Sequence, residues 1–149
     1  MITEKSAGAI IYNTKNKKLL LLFREAKDKY KDSWDFPRGL VEEEDEKSTV
    51  EREIKEETGI NNVEFVPKFR EVISFFYRRD EELVKKEIIY YLVMTKQDEI
   101  ETSYEHDDYK WLDFEDAIKL LTHKSSKEIL KKANEFLKEN SKQRTLEDF

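Results

Sequence analysis

Three glutamates near the middle of the chain are spaced so that one helix would present them together. Glu53, Glu56 and Glu57 stand at positions i, i+3 and i+4, which share one face of an α-helix. Neighbouring like charges repel one another, and a divalent cation would remove that repulsion. Carboxylate oxygens are hard ligands, so the pattern favours Mg²⁺, with Mn²⁺ as a substitute. The alternative that spacing leaves open is a solvated, charged helix face.

The excess negative charge of the chain is concentrated around these glutamates. The formal net charge is −6, and residues 42–57 contain nine acidic and three basic residues. The rest of the chain is balanced, so a generic basic surface for nucleic acid is absent from the sequence. We therefore expect no DNA partner.

The glutamates belong to a longer pattern that resembles the Nudix box, the signature of the Nudix hydrolase superfamily. The matching residues are Gly39, Glu44, Arg52, Glu53, Glu56, Glu57, Gly59 and Ile60. One departure is that four residues, where the family pattern has five, separate Gly39 from Glu44. Counted from Gly39 the first acid of the box would be Asp45, and counted from Arg52 it is Glu44. We assign Glu44, because a loop tolerates a deletion more readily than a helix does.

This resemblance implies a Mg²⁺-dependent hydrolase whose metal is bound by the three helical glutamates. It also implies that Arg52 orients the carboxylates and that the carbonyl of Gly39 is a further metal ligand. A pyrophosphate linkage repels an anionic nucleophile, so metal ions must neutralise its oxygens and activate a water molecule. The implied catalytic residues within the box are Arg52, Glu53 and Glu57.

Flanking segments resemble one branch of that superfamily, the asymmetrical diadenosine tetraphosphate hydrolases. These segments are residues 34–42 (WDFPRGLVE), 86–92 (KEIIYYL) and 103–112 (SYEHDDYKWL). By this resemblance Glu105 completes the metal site or acts as the general base, and His106 polarises a phosphate oxygen. Spacing alone would favour an exposed loop acid for Glu105 and a structural hydrogen bond for His106.

Basic and aromatic side chains outside the box are candidates for binding the rest of a nucleotide. The resemblance implies that Arg38 and Lys86 bind non-bridging oxygens of a polyphosphate, although either could be an ordinary surface charge. Strand alternation puts Phe75 and Tyr77 on one face and Phe76 on the other. Phe75 and Tyr77 would offer stacking surfaces to a base, while such a stripe is more often part of a core.

The reaction that this resemblance implies is attack of water on a terminal phosphorus of a dinucleoside tetraphosphate, which gives ATP and AMP from diadenosine tetraphosphate. The general base is Glu53, Glu57 or Glu105. Two related activities stay open, a 5′-RNA pyrophosphohydrolase and a nucleoside triphosphate pyrophosphatase. A non-catalytic nucleotide-binding module is a third alternative, which the short loop favours and the complete set of box carboxylates disfavours.

The composition excludes several other kinds of protein. The chain has no cysteine, which excludes disulfides and thiolate zinc sites, and two histidines argue against a multi-histidine metal site. No apolar stretch approaches the roughly 20 residues of a membrane-spanning helix, and the N-terminus does not resemble a signal peptide. We expect a cytoplasmic protein without a membrane partner, and the oligomeric state stays open.

The apolar pattern predicts the elements that position these residues. Strands are predicted at residues 7–12, 18–23, 63–79, 84–95 and 109–112, and helices over the segment ending at residue 58, at 114–121 and at 126–137. Gly59 is placed to end the first helix with a positive φ, and residues 79–82 (RDEE) would connect the two long strands as a hairpin. This order predicts an α+β fold with a mixed sheet sandwiched between helices (α/β/α), and the resemblance implies the Nudix fold. We expect a single domain over residues 1–140 and a flexible tail at 141–149.

Overall fold

A computed structural model describes residues 1–25, 31–101 and 108–147, with side chains up to residue 140. The strands are β1 (Ile2–Asn13), β2 (Lys18–Arg24), β3 (Ser33–Asp35), β4 (Arg38–Leu40), β5 (Glu64–Arg79), β6 (Glu82–Thr95) and β7 (Asp108–Leu112). The helices are α1 (Glu46–Thr58), α2 (Phe114–Leu120) and α3 (Lys124–Glu147). None of these three helices is long and apolar enough to cross a membrane.

Within the described residues, seven strands form one mixed sheet. Five of them follow one another in the order β3-β2-β1-β6-β5. β1 pairs in parallel with β6 along the whole of β1, from Ile2 opposite Val84 to Asn13 opposite Thr95. The other pairs are antiparallel, and the short strands β4 and β7 pair with β1 and β2. β1 therefore lies at the centre of the sheet, with β4 paired to its residues 6–8.

Helices cover both faces of the sheet. On one face, Ile11 of β1 packs in a buried cluster with Ile54 of α1, and we call this side the α1 face. On the other, Ile10 packs with Leu130 of α3, and we call this side the α3 face. Each fully buried Ile or Leu stabilises the fold by about 1.5 to 3 kcal/mol. The sequence-based prediction of an α+β fold with helices on both sides of a mixed sheet is confirmed.

Helix α1 has well-defined ends. Asp45 is the N-cap, and its side chain accepts a hydrogen bond of 2.7 Å from the backbone N–H of Ser48. Gly59 ends the helix with φ 76°, and its N–H donates to the carbonyl of Lys55. The predicted end of this helix at Thr58 is confirmed. The caps fix which residues of α1 face the sheet, and so fix where its glutamates lie.

Several boundaries differ from the prediction. β3 and β4 were not predicted, because each has only three residues and Pro37 between them cannot donate a ladder hydrogen bond. β1 begins at Ile2 rather than residue 7, since pairing with β6 holds even its polar first residues in the sheet. α3 begins at Lys124 and continues to Glu147, beyond the predicted end at 137, through residues that contain neither Gly nor Pro. The hairpin at residues 79–82 is confirmed, with positive φ at Asp80 and Glu81.

Candidate active site at helix α1

Gly39 and Glu53 are in direct contact where β4 meets α1. Gly39 pairs with Ala7 of β1, which places it on the α1 face. A Cβ at Gly39 would overlap the Oε1 atom of Glu53. Glycine is therefore required here by the close approach of the glutamate. The shortened loop before the helix still leaves Gly39 against the first of the three predicted metal ligands.

Arg52 connects the acidic residues to one another. Its Nε donates to Glu44 Oε1 at 2.6 Å, and its Nη1 donates to Glu53 Oε1 at 2.8 Å and to Glu56 Oε2 at 3.3 Å. Its Nη2 donates to the carbonyl of Leu40 at 3.3 Å. The hydrogen bond to Glu44, together with the charge of Glu53, raises the pKa of Arg52, which stays charged. The guanidinium fork holds Glu53 in one orientation beside Gly39.

The choice between Glu44 and Asp45 is answered by their contacts. Glu44 lies beside Arg52, as the count back from Arg52 predicts, whereas Asp45 caps the helix. α1 begins only at Glu46, so Glu44 precedes the helix. The loop between Gly39 and Glu44 is therefore the segment that is one residue shorter than in the family pattern.

The three helical glutamates differ in how far their side chains are exposed to solvent. The side chain of Glu57 is 3% exposed, that of Glu53 14% and that of Glu56 58%. Arg24 of β2 places its Nη2 atom 3.8 Å from Glu57 Oε1. A carboxylate buried to this extent is costly unless cations lie nearby. The helix thus directs acidic oxygens inward as well as toward solvent.

The residues at this position suit a divalent ion bound by oxygen. They supply carboxylate oxygens from three positions on one helix, and Gly39 brings backbone against Glu53 without an intervening side chain. In the described ranges, however, no group of three or more acidic or histidine side chains is already arranged to hold a metal. Arg52 Nη1 bonds two of the carboxylates instead. The metal-binding roles of Glu53, Glu56, Glu57 and Gly39 stay predictions.

Two predicted site residues, Glu105 and His106, lie outside the described residues. The chain is described again from Asp108, which lies opposite Phe23 of β2. Arg24, the residue after Phe23, is the one that approaches Glu57. The roles assigned to Glu105 and His106 stay predictions.

The predicted phosphate-binding cations lie on the α3 face, on the opposite side of the sheet from α1. Arg38 Nη1 donates to Asp35 Oδ2 at 2.6 Å and lies 3.4 Å from the hydroxyl of Tyr90. Asp35 also accepts hydrogen bonds from Ser126 of α3 and from the backbone of Phe36. The sequence did not indicate this network, because Asp35 and Ser126 are 91 residues apart. The ion pair of Arg38 with Asp35 depends on the short β3–β4 turn. Arg38 is therefore part of a network that joins β4 to α3, and its predicted contact with phosphate stays a prediction.

Lys86, Phe75 and Tyr77 also lie on the α3 face. The alternation predicted for Phe75 and Tyr77 is confirmed. Phe75 is the cross-strand partner of Lys86, and the rings of Phe75 and Tyr77 lie 6.4 Å apart. Lys86 Nζ donates to Ser6 Oγ at 2.7 Å and lies 3.5 Å from Glu4 Oε2. Phe76 is exposed on the opposite face. Glu4 and Ser6 were not among the predicted site residues, since the parallel register that brings β1 beside β6 leaves no local signal in the sequence.

Known proteins are similar to this chain in sequence and in fold. The profile of the NUDIX domain family matches residues 3–133 of the chain. An asymmetrical bis(5′-nucleosyl)-tetraphosphatase from Mus musculus is 34% identical over 109 residues, covering 70% of this chain and 71% of the relative. An RNA pyrophosphohydrolase from a Nitratiruptor species is 28% identical over 145 residues, covering 89% and 92%. The crystal structure of a binary complex of an Ap4A hydrolase from C. elegans matches with a TM-score of 0.75 and 30% identity, covering 90% of this chain and 97% of the other.

Proposed function

Because this chain belongs to the Nudix family and is a hydrolase of phosphoanhydride bonds, we propose that it cleaves dinucleoside tetraphosphates asymmetrically. Its preferred substrate is diadenosine tetraphosphate, and its products are ATP and AMP. The relatives named as tetraphosphatases support this substrate, because the similarity extends over most of the chain. The substrate class does not follow from the family alone, since an RNA pyrophosphohydrolase is also similar.

The observation that carries the proposal is the position of β4 between two sets of side chains. Arg38 pairs with Gly8 and lies on the α3 face, with Lys86 and the Phe75–Tyr77 pair on the same face. The next residue, Gly39, lies on the α1 face against Glu53. Arg38 and the acidic oxygens therefore lie on opposite faces of a single short strand, and Lys86 and the aromatic rings lie on the Arg38 side, on β6 and β5 beyond β1. An elongated substrate that crosses this strand would reach both sets.

The residues of α1 have distinct roles in this proposal. Glu53, Glu56 and Glu57 hold a divalent ion, Mg²⁺ or Mn²⁺, and Arg52 keeps Glu53 in place. When bound, such an ion neutralises the phosphate oxygens and makes water a better nucleophile. Glu53 or Glu57, or Glu105 from the segment ahead of β7, accepts the proton of the attacking water. Arg38 and Lys86 bind the oxygens of the phosphate chain.

Isotope labelling tests the asymmetric assignment. Water attacks the phosphorus next to one nucleoside, so hydrolysis in ¹⁸O water with Mg²⁺ places the label in AMP and leaves ATP unlabelled. Recovery of two ADP molecules, one of them labelled, would reject asymmetric cleavage. Glu56→Gln should lose most of the activity, whereas Glu51→Gln, an exposed neighbour on the same helix, serves as the matched control.

A 5′-RNA pyrophosphohydrolase is the second candidate, and one relative favours it. The Nitratiruptor protein of that name is similar over 89% of this chain. Arg78 and Arg79, exposed near the β5–β6 hairpin, are the basic residues that a polynucleotide could contact. The two candidates are separated by comparing kcat/KM on diadenosine tetraphosphate with that on 5′-triphosphorylated RNA. A higher value on RNA would replace the first proposal by the second.

The domain limits are part of the same proposal. We place the catalytic domain within residues 1–140 and treat residues 141–149 as a tail that catalysis does not require. Deletion of residues 141–149 should leave kcat/KM on diadenosine tetraphosphate unchanged within about twofold, because Leu130 and Ala133 of α3 are already buried against the sheet ahead of this segment. Loss of activity in the truncated protein would contradict these limits.

A further inference from the structure

Glu4 is the centre of a group of charged and polar side chains on the α3 face. Its Oε1 atom lies 2.6 Å from Arg79 Nη1, and its Oε2 atom accepts a hydrogen bond of 2.9 Å from the hydroxyl of Tyr77. Lys86 Nζ lies 3.5 Å from the same Oε2 atom and donates to Ser6 Oγ. We call these five residues the Glu4 cluster. It joins the start of β1 to both strands of the hairpin.

The Glu4 carboxylate occupies a position that would also favour an anionic group of a substrate. Two cations and one hydroxyl donor are directed at the Glu4 carboxylate, and a phosphate group would attract the same three donors. The hydrogen bond from Tyr77, together with the contact with Arg79, lowers the pKa of Glu4, so the carboxylate is charged at neutral pH. Phe75, opposite Lys86 on β5, is exposed beside the cluster. Ligands can therefore reach this part of the sheet.

We propose that Glu4 determines how long a phosphate chain the protein accepts, because its carboxylate already occupies the position between Lys86 and Arg79 that one more phosphate group would take. The inference rests on the proposed function, in which Lys86 binds the phosphate chain. Glu4 repels a phosphate group directly and also neutralises the two cations that would bind it. Its effect therefore grows with each phosphate that is added to the chain.

A purely structural role for Glu4 would have a different signature. In that case the carboxylate would hold Lys86 and Arg79 in position, and its removal would weaken phosphate binding for chains of every length. In the proposed role its removal strengthens binding. The two roles predict opposite signs for one measurement, so an affinity change distinguishes them.

Binding of inorganic tripolyphosphate to Glu4→Gln, followed by calorimetry without metal, tests this directly. We expect the variant to bind tripolyphosphate about fivefold more tightly than the parent protein, because one negative charge near the site is removed. Glu87→Gln is the matched control. It removes the same charge from β6, but Glu87 pairs with Lys85 on the α1 face, so its affinity should stay within about twofold of the parent. Equal or weaker binding by Glu4→Gln would overturn the proposal.

Arg79→Gln provides a second test that does not depend on Glu4→Gln folding. The Arg79 side chain is 49% exposed near the hairpin, where a substitution is tolerated by the fold. Its loss leaves Glu4 paired mainly with Lys86, so tripolyphosphate should bind about fivefold more weakly. Unchanged affinity in this variant would also overturn the proposal.

Turnover of dinucleoside polyphosphates separates this inference from the proposed function. For Glu4→Gln we expect KM to fall more for the penta- and hexaphosphates than for the triphosphate, with kcat changed less than about twofold. A fall in KM that is equal for every chain length would contradict the role in length selection. If the parent protein cleaved none of these substrates, the proposed function would fail, while the tripolyphosphate measurements would still decide the role of Glu4.

Discussion

The carboxylate of Glu53 lies directly against the Cα atom of Gly39, in space that a Cβ would fill. Gly39 does not have a positive φ, so its backbone conformation is open to other residues. The need for glycine comes from the carboxylate that approaches it. Arg52 keeps Glu53 in this position through its Nη1 atom. The close contact of β4 with α1 at Gly39 thus depends on how the side chain of Glu53, a proposed metal ligand, is oriented.

Gly39→Ala should damage catalysis much more than stability. The added methyl group would overlap the Glu53 carboxylate and must displace it, and such a displacement of a metal ligand lowers kcat by roughly 10- to 100-fold. Because the flexible glutamate can swing aside, the free energy of unfolding should change by about 1 kcal/mol or less. Steady-state kinetics and urea unfolding measure the two effects. The control is Leu40→Ala, because the Leu40 side chain is 49% exposed. An equal loss of activity in this variant would show that activity is lost on any substitution in β4, and not specifically on displacement of Glu53.

Arg52→Lys should lower activity although it conserves the positive charge. The guanidinium bonds Glu44 through Nε and Glu53 through Nη1, and a single ammonium group cannot span both. We expect kcat to fall by roughly 10- to 100-fold and the Mg²⁺ concentration needed for half-maximal activity to rise. Lys55→Arg, on the exposed side of the same helix, is the reciprocal control. Full activity in Arg52→Lys would show that charge alone is sufficient.

Metal binding should be visible as a gain in stability. A ligand that binds only the folded protein raises Tm, and the gain is about 2.7 kcal/mol when its concentration is 100 times its Kd. Mg²⁺ or Mn²⁺ should therefore raise Tm above the value in EDTA. Glu57→Gln, which removes the charge from the 3%-exposed carboxylate, should lose most of that increase. The control Glu51→Gln should retain it. Identical Tm values with and without metal in the parent protein would contradict the proposed metal site.

Local patterns in the sequence predicted the parts of the site that lie on one element. The i, i+3, i+4 spacing and Gly59 defined α1 and its end, because helix geometry fixes which residues share a face. The alternation along residues 75–77 correctly divided the aromatic side chains between the two faces. These features depend only on neighbours along the chain.

Contacts between distant segments could not be predicted in the same way. Glu4 lies opposite Lys86 because β1 and β6 pair in parallel. No pattern in either segment predicts the register of that pairing. The ion pair of Arg38 with Asp35 depends on the β3–β4 turn, which is too short to show a periodic pattern. The partners of both cations are set by tertiary structure, and their predicted contacts with phosphate stay predictions.

Glu46 joins the first turn of α1 to three strands. It lies 2.6 Å from Lys5 Nζ of β1, accepts hydrogen bonds of 2.9 and 3.0 Å from Arg70 of β5, and accepts one of 2.7 Å from the Tyr91 hydroxyl of β6. The hydrogen bonds from Arg70, followed by those from Lys5 and Tyr91, lower the pKa of Glu46 to about 2. The carboxylate is therefore far more acidic in the folded protein than in an unfolded chain, where its pKa is about 4.3.

Glu46→Gln should destabilise the protein at neutral pH and much less in acid. Because the pKa of Glu46 is lower in the folded state, its charge stabilises the fold above the unfolded pKa, and this contribution is lost as the pH falls toward about 2. Allowing for solvent screening, we expect the variant to lose about 1 to 2 kcal/mol of unfolding free energy at pH 7. Urea unfolding at pH 7 and at about pH 3 measures the change, with Glu51→Gln as the exposed control on the same helix. A loss that is equal at both pH values would show that Glu46 acts through packing rather than through its charge.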